Sequence, residues 1–281
     1  MMMIFVTGAT GTIGAEVLYL LKTSDQVVRA GIRQPTVAQL AENAIAFDIT
    51  QPASFGPALA GVERMFLMRP PAVTNVAETL FPLIDAAKAS GVHQIVFLSL
   101  LGAEKLSFVP HRKVEIYLQH SGIDYTFLRA SFFMQNLQTA HGAEIRQRRE
   151  ILVPAGNGKT SFVDGNDIAA VAVRALTEDG HRNQAYDLTG SEALDYPTVA
   201  ALLSLELGYP IVYRHPSLRS FLSYQRSRGV TAGQALVMAA IYTTARFGMA
   251  ARVTNDVARL LGRPPQSLQG YLAQHRQAWL D

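Results

Sequence analysis

A chain of 281 residues, 49% hydrophobic and only 17% charged, can bury a sizeable core and does not have the composition of a disordered one. Without a cysteine it has no disulfide, thiolate metal site or cysteine nucleophile. Its formal charge of +3 is too small an excess to imply nucleic acid, and a phosphate-rich small ligand would be served equally well.

The first run, Met2–Val6, is short, apolar and compatible with a β-strand, and Ala15–Leu21 then sets apolar residues at helical spacing. No basic region precedes an apolar stretch with a cleavage site, so no secretory signal is expected, and a cytoplasmic location suits the missing cysteines. Further strand-like runs fall at Gln26–Ile32, Ala44–Phe47, Glu63–Met68, His93–Leu98 and Asp124–Leu128. Helical segments lie between them, the clearest at Ala72–Ser90 and Pro110–His120, each followed by a glycine placed for a C-cap. This alternation predicts an α/β fold, a Rossmann-type doubly wound parallel sheet.

Past residue 130 the pattern loosens. Strand-like Glu150–Pro154, a loop at Ala155–Lys159, helical Ile168–Leu176 and strand-like Ala185–Thr189 precede a mainly helical stretch with a short strand at Ile211–Tyr213. The expected organisation is a dinucleotide-binding domain over 1–150, its last elements contributed by 160–190. A smaller, mostly helical substrate lobe over 151–281 is interleaved with it. The apolar segment Ala235–Ala251 carries Arg246 and two threonines. It reads as a buried or interface helix rather than a membrane span, which leaves a homodimer open.

Between the first strand and helix stands Thr7-Gly8-Ala9-Thr10-Gly11-Thr12-Ile13-Gly14. In that context Gly8 allows the sharp turn, Gly11 clears the approach of a pyrophosphate, and Gly14 lets helix and sheet pack closely. Thr10, Thr12 and Ile13 then belong to the phosphate loop, with free N–H groups at the positive end of the helix dipole. An NAD site usually carries an acid at the end of the second strand. Here Val27–Gln34 has none, and Arg33 is placed to meet a 2′-phosphate, so NADP(H) is favoured over NAD(H). A solvated surface arginine is the plain alternative. Asp48 could accept the adenine amino group with Ile49 against the ring, or could cap the next helix. Leu67, Met68, Arg69 and Ser99 end strands four and five and are expected to line the nicotinamide side, with Leu100 beside them in the substrate pocket.

The chain resembles the NmrA-like, atypical branch of the short-chain dehydrogenase/reductase superfamily. The motifs concerned are the glycine-rich opening, Val28-Arg29-Ala30-Gly31-Ile32-Arg33, His111-Arg112-Lys113-Val114-Glu115, Ser121–Arg129, Phe132–Asn136 and Asp164–Ala169. They look most like those of the triphenylmethane reductase and NADPH:quinone reductase members. The resemblance implies a Rossmann domain, bound NADP(H), and a substrate cleft roofed by the C-terminal lobe. Phe133 and Asn136 would line that cleft, although Phe132–Met134 and Asn136 could equally serve core and loop.

The chain departs from the superfamily where chemistry is concerned. It has no Tyr-x-x-x-Lys, the pair in which lysine lowers the tyrosine pKa for proton transfer. His111 falls near the lysine's place and could orient the ribose, touch substrate, donate a proton, or simply sit in a helix's first turn. Glu115, one turn on, is either its intrahelical partner or catalytic. The seven histidines show no clustering with carboxylates that would signal a metal. The resulting expectation is an NADPH-dependent reductase passing hydride to a planar conjugated acceptor, quinone-like or cationic aromatic. The alternative is a non-catalytic NADP(H)-binding redox sensor acting through a protein partner.

Overall fold

Short apolar runs flanked by amphipathic helices give, in the computed structural model, a seven-stranded sheet in which every pair is parallel. Residues 2–107 and 109–280 are described. They fall into two units, Met1–Ala130 with Gly165–Leu188, and Ser131–Asp164 with Thr189–Asp281.

In the first unit the strands are β1 (Met3–Val6), β2 (Val27–Ile32), β3 (Ala44–Ala46), β4 (Arg64–Met68), β5 (Gln94–Leu100) and β6 (Asp124–Ala130). The strand Gln184–Leu188 closes the order Gln184–Leu188, β6, β5, β4, β1, β2, β3. The helices are α1 (Thr12–Thr23), α2 (Val37–Ala41), α3 (Phe55–Leu59), α4 (Leu80–Ala89) and α5 (Pro110–Ser121), with Gly165–Thr177 returning late in the chain. Both faces of the sheet are buried, as parallel sheets require. Phe5, Met65, Leu67, Ile95 and Phe97 pack with the apolar sides of α3, α4 and α5. Ile4, Val6, Phe66 and Val96 alternate with them and are equally buried, as are Ile13, Val17 and Leu21 of α1 and Ile168, Val171 and Ala172 of Gly165–Thr177. Polar contacts tie that late helix to the strands: Arg64 donates to the carbonyl of Leu176 at 2.6 Å and Gln94 to that of Ala175 at 2.9 Å.

The helix expected from Ala72 begins only at Leu80. The Arg69 guanidinium takes the carbonyls of Pro70, Pro71 and Val73 at 3.1, 3.3 and 2.6 Å. Those acceptors would otherwise close a helix's first turns. The run Val73-Thr74-Asn75-Val76 adds little helix propensity.

The second unit has a separate core, in which Met134, Leu137, Ile145, Phe162, Tyr196, Phe221, Tyr242 and Trp279 are buried together. Residues 131–150, grouped with the first domain from sequence, therefore belong to the second unit: their apolar side chains are buried there. Its strands are short pairs, Phe132–Phe133 with Phe162–Val163, Glu150–Leu152 with Val212–Arg214, and Lys159–Thr160 with Leu194–Asp195. Its longest helices are Tyr196–Leu207, Leu218–Ser227 and Ala232–Arg246. No described helix is long and apolar enough to cross a membrane.

Candidate functional site

The carboxyl ends of β1, β2, β4 and β5 collect most of the residues singled out from sequence. Gly8 leaves β1 at φ +62°, a conformation that favours glycine. A Cβ on Gly14 would stand 2.2 Å from the Gly8 carbonyl oxygen, so the turn and α1 can meet this closely only through glycine. Gly11 differs from both. A Cβ there would meet nothing nearer than the Gly8 oxygen at 3.4 Å, an ordinary contact. The fold does not require a glycine at 11, whereas a phosphate lying against the backbone would.

Gly11 is also the N-cap of α1, and no side chain caps that end. The N–H groups of the first turn, Thr12, Ile13 and Gly14, have no acceptor within the helix and face outward with the positive end of the dipole. Thr10 and Thr12 are exposed, while the Ile13 side chain is in the core. This cradle fits a dinucleotide pyrophosphate.

Arg29 and Arg33 have different surroundings. Arg29 is committed to the carbonyls of Ala58 and Ala60 at 2.9 and 2.7 Å. Arg33 is exposed just past β2, and among the described residues no hydrogen bond or ion pair engages its guanidinium. Its charge also reaches Asp48, whose carboxyl is held below its ordinary pKa first by the Thr50 N–H, then by the Thr50 hydroxyl, and more weakly by Arg33. Both Thr50 groups bond to Asp48 Oδ1, at 2.9 and 2.7 Å. The carboxylate thus closes a local turn and does not cap the helix that follows. Ile49 and Leu67 turn into the core, so only their backbone remains for a ligand.

At the ends of β4 and β5 the surroundings are polar and tightly committed. Arg69 Nε donates to His111 Nε2 at 3.4 Å. The largely enclosed His111 ring has its pKa pulled down to about 4 by burial and by the Arg69 charge, against a smaller pull from Glu115. The imidazole is therefore neutral at pH 7, with its lone pair toward Arg69 and its proton on Nδ1.

Glu115 is fully buried, and its partner is not His111. Its oxygens accept from Arg129 Nε and Nη2 at 2.9 Å each, from Ser99 Oγ at 2.7 Å and from Arg112 at 3.1 Å. The Ser99 hydroxyl proton is thereby directed at Glu115. Four side chains lock α5 to β5 and β6, and Glu104 extends the set at 3.5 Å from Arg129. Sequence reasoning gave Arg129 no role. The signal was a lone glutamate among the apolar positions of α5, which needs a cation.

Leu100 ends β5 half-buried. In the second unit, Phe133 is half-buried on its short strand and Asn136 opens the helix Asn136–Thr139. Met134 is core. The neighbouring Gln135 donates to Asp164 at 2.5 Å.

Residues 2–244 match the NmrA-like family. The chain belongs to that family. This NmrA-like chain is 35% identical to the NAD(P)H azoreductase of Xenophilus azovorans, with 99% of each chain covered. It is 33% identical to quinone oxidoreductase 2 of Escherichia coli strain K12, covering 95% of this chain and 96% of that one. Among solved structures, the E. coli NADPH-dependent quinone oxidoreductase in complex with NADPH superposes with a TM-score of 0.87 at 30% identity, over 98% of this chain and 100% of that chain. The Citrobacter sp. triphenylmethane reductase in complex with NADP(H) gives 0.84 at 26% identity, over 98% and 99%.

Proposed function

We propose that this NmrA-like protein is an NADP(H)-dependent reductase that transfers hydride to a planar conjugated acceptor, quinone-like or cationic aromatic. The observation that carries this reading is an intact dinucleotide cradle in a chain without the Tyr-x-x-x-Lys proton-donating pair. Relatives at 33 and 35% identity that bear reductase names support an NAD(P)H-dependent oxidoreductase and weigh against the non-catalytic sensor.

The first turn of α1, opened by Gly8, Gly11 and Gly14, would hold the pyrophosphate through backbone N–H groups. Arg33 would meet the 2′-phosphate, which distinguishes NADP from NAD. Asp48 and the backbone at Ile49 would border the adenine. Met68, Arg69, Ser99 and the backbone of Leu67 would border the nicotinamide, and Leu100 and His111 would contact substrate. When bound, the nicotinamide supplies the hydride.

This chain contributes binding, orientation and exclusion of water. His111 is neutral and holds Arg69 through Nε2, so it is a positioning group with one N–H at Nδ1 and not an acid. No tyrosine–lysine pair supplies a proton. Acceptors that fit are those whose reduced form needs no protein acid: a quinone gives a stabilised anion that takes its proton from water, and a cationic dye becomes neutral on receiving hydride.

A steady-state panel tests this reading. With NADPH, quinones and cationic triarylmethane dyes should be reduced well above the protein-free rate, and simple aliphatic ketones should not. Reduction of the ketones at a comparable rate would show an unrecognised proton donor. Tight NADPH binding with no turnover on any acceptor would restore the sensor.

A further inference from the structure

The net positive charge of the chain arises from one unit. The second unit has thirteen Lys and Arg against eight Asp and Glu, and the first has twelve against fourteen. Within the second unit lies a surface cavity of about 660 Å³, whose lining includes Gly156, Asn157, Gly158, Lys159, His215 and Arg246. That volume is in the range of small-molecule sites. Among the described residues no carboxylate lines it.

The loop that forms one wall is held from both sides. The Tyr213 hydroxyl donates to the carbonyls of Val153 and Gly156 at 3.1 and 3.0 Å. On the other side Gly158 lies so close to the end of helix Ala232–Arg246 that a Cβ would stand 2.1 Å from the Ala245 oxygen. Gly156, at φ +58°, brings its bare backbone to the Arg246 side chain, whose Cγ and Nε a Cβ there would meet at 3.6 and 3.8 Å. Arg148, Arg214, Arg228, Arg259 and Arg276 each meet a carboxylate in this unit. Among the described residues Arg246 and Lys159 meet none within ion-pair distance. Asp195, the strand-register partner of Lys159, feels its charge only weakly, and its carboxylate accepts from the N–H and hydroxyl of Thr198 at 2.9 and 2.6 Å.

We propose that this cavity binds a small molecule through a phosphate group. A guanidinium supplies a two-pronged donor, an ammonium a point charge, and His215 a further N–H, a set suited to a tetrahedral dianion with several acceptor oxygens. The remaining volume takes the organic body. Every lining residue belongs to the second unit, and none is among those proposed for the dinucleotide.

The test is calorimetric titration of phenyl phosphate into protein saturated with NADP⁺, so that the phosphate sites of the first unit are already filled. Binding at one equivalent is expected. Arg246→Ala and Lys159→Ala should each weaken it roughly ten- to a hundredfold. Arg219→Ala, at an exposed arginine outside the cavity, should leave it unchanged. Absence of saturable binding would overturn the site, as would indifference to Arg246→Ala and Lys159→Ala. Equal loss in Arg219→Ala would mean diffuse attraction to a basic surface, and phenyl phosphate binding that falls as NADP⁺ is raised would mean occupation of the dinucleotide site. Benzenesulfonate binding as tightly as phenyl phosphate would overturn the phosphate assignment.

Discussion

Arg129 and Glu115 meet through two hydrogen bonds, Nε to Oε1 and Nη2 to Oε2, each 2.9 Å, inside a site from which Glu115 sees no solvent. The pair joins the end of β6 to the middle of α5 and fixes the helix that presents His111. Removing one partner leaves a buried charge without compensation. Glu115→Ala is expected to cost about 3–5 kcal/mol in chemical denaturation. A loss well below 1 kcal/mol would show that the network is replaceable by water.

Gly11 and Gly14 should separate binding from folding. Gly14→Ala forces a Cβ against the Gly8 backbone and should lower stability by about 1–3 kcal/mol, the usual range for overpacking. Gly11→Ala should leave the melting temperature of the apoprotein near that of the parent while weakening NADPH binding. Equal destabilisation by both, with cofactor affinity tracking stability, would make Gly11 a structural glycine only.

Arg33→Ala should reduce NADPH affinity roughly ten- to a hundredfold and leave NADH affinity unchanged, as expected on losing a charge-assisted bond to a 2′-phosphate. Direct titration of both cofactors checks this. Unchanged NADPH affinity would remove Arg33 from the site.

Acid should destabilise the chain through histidines that fold neutral. His141 lies in the core of the second unit, its Nε2 2.5 Å from the Tyr242 hydroxyl. Burial first, and then the Arg228 charge, pulls its pKa from 6.5 to about 4. Across that window the unfolded chain binds more protons than the folded one, so stability falls as pH drops toward 4 and levels off below it. His111 acts in the same direction. Melting temperatures measured from pH 7 to pH 4 should fall less steeply in His141→Gln than in the parent. Superimposable slopes would contradict a neutral buried His141.

Much of the fold was legible because a parallel sheet buried on both faces demands continuous apolar strands, and each strand from Met3 to Ala130 came within two residues of its expected bounds. The dinucleotide turn was legible for a local reason: three glycines serve three purposes within a single strand-to-helix connection. What could not be read depends on where side chains point and on contacts made only in the folded chain. Arg69 draws in the carbonyls of Pro70, Pro71 and Val73 and so delays α4. Arg129 neutralises Glu115 across two elements. Ile49 and Leu67 carry no mark of facing the core rather than a ligand. The basic cavity is assembled from residues near 157, 215 and 246, and no window of sequence contains them together.

The central claim is hydride transfer from NADPH to an acceptor that needs no protein acid. Its most direct test is an anaerobic single turnover of a cationic triarylmethane dye with NADPH deuterated at both C4 positions, followed by mass analysis of the colourless product. Deuterium on the central carbon of the dye, at a rate set by the protein, is the expected result. A dye that persists beside tightly bound NADPH, or that bleaches without acquiring deuterium, would contradict it.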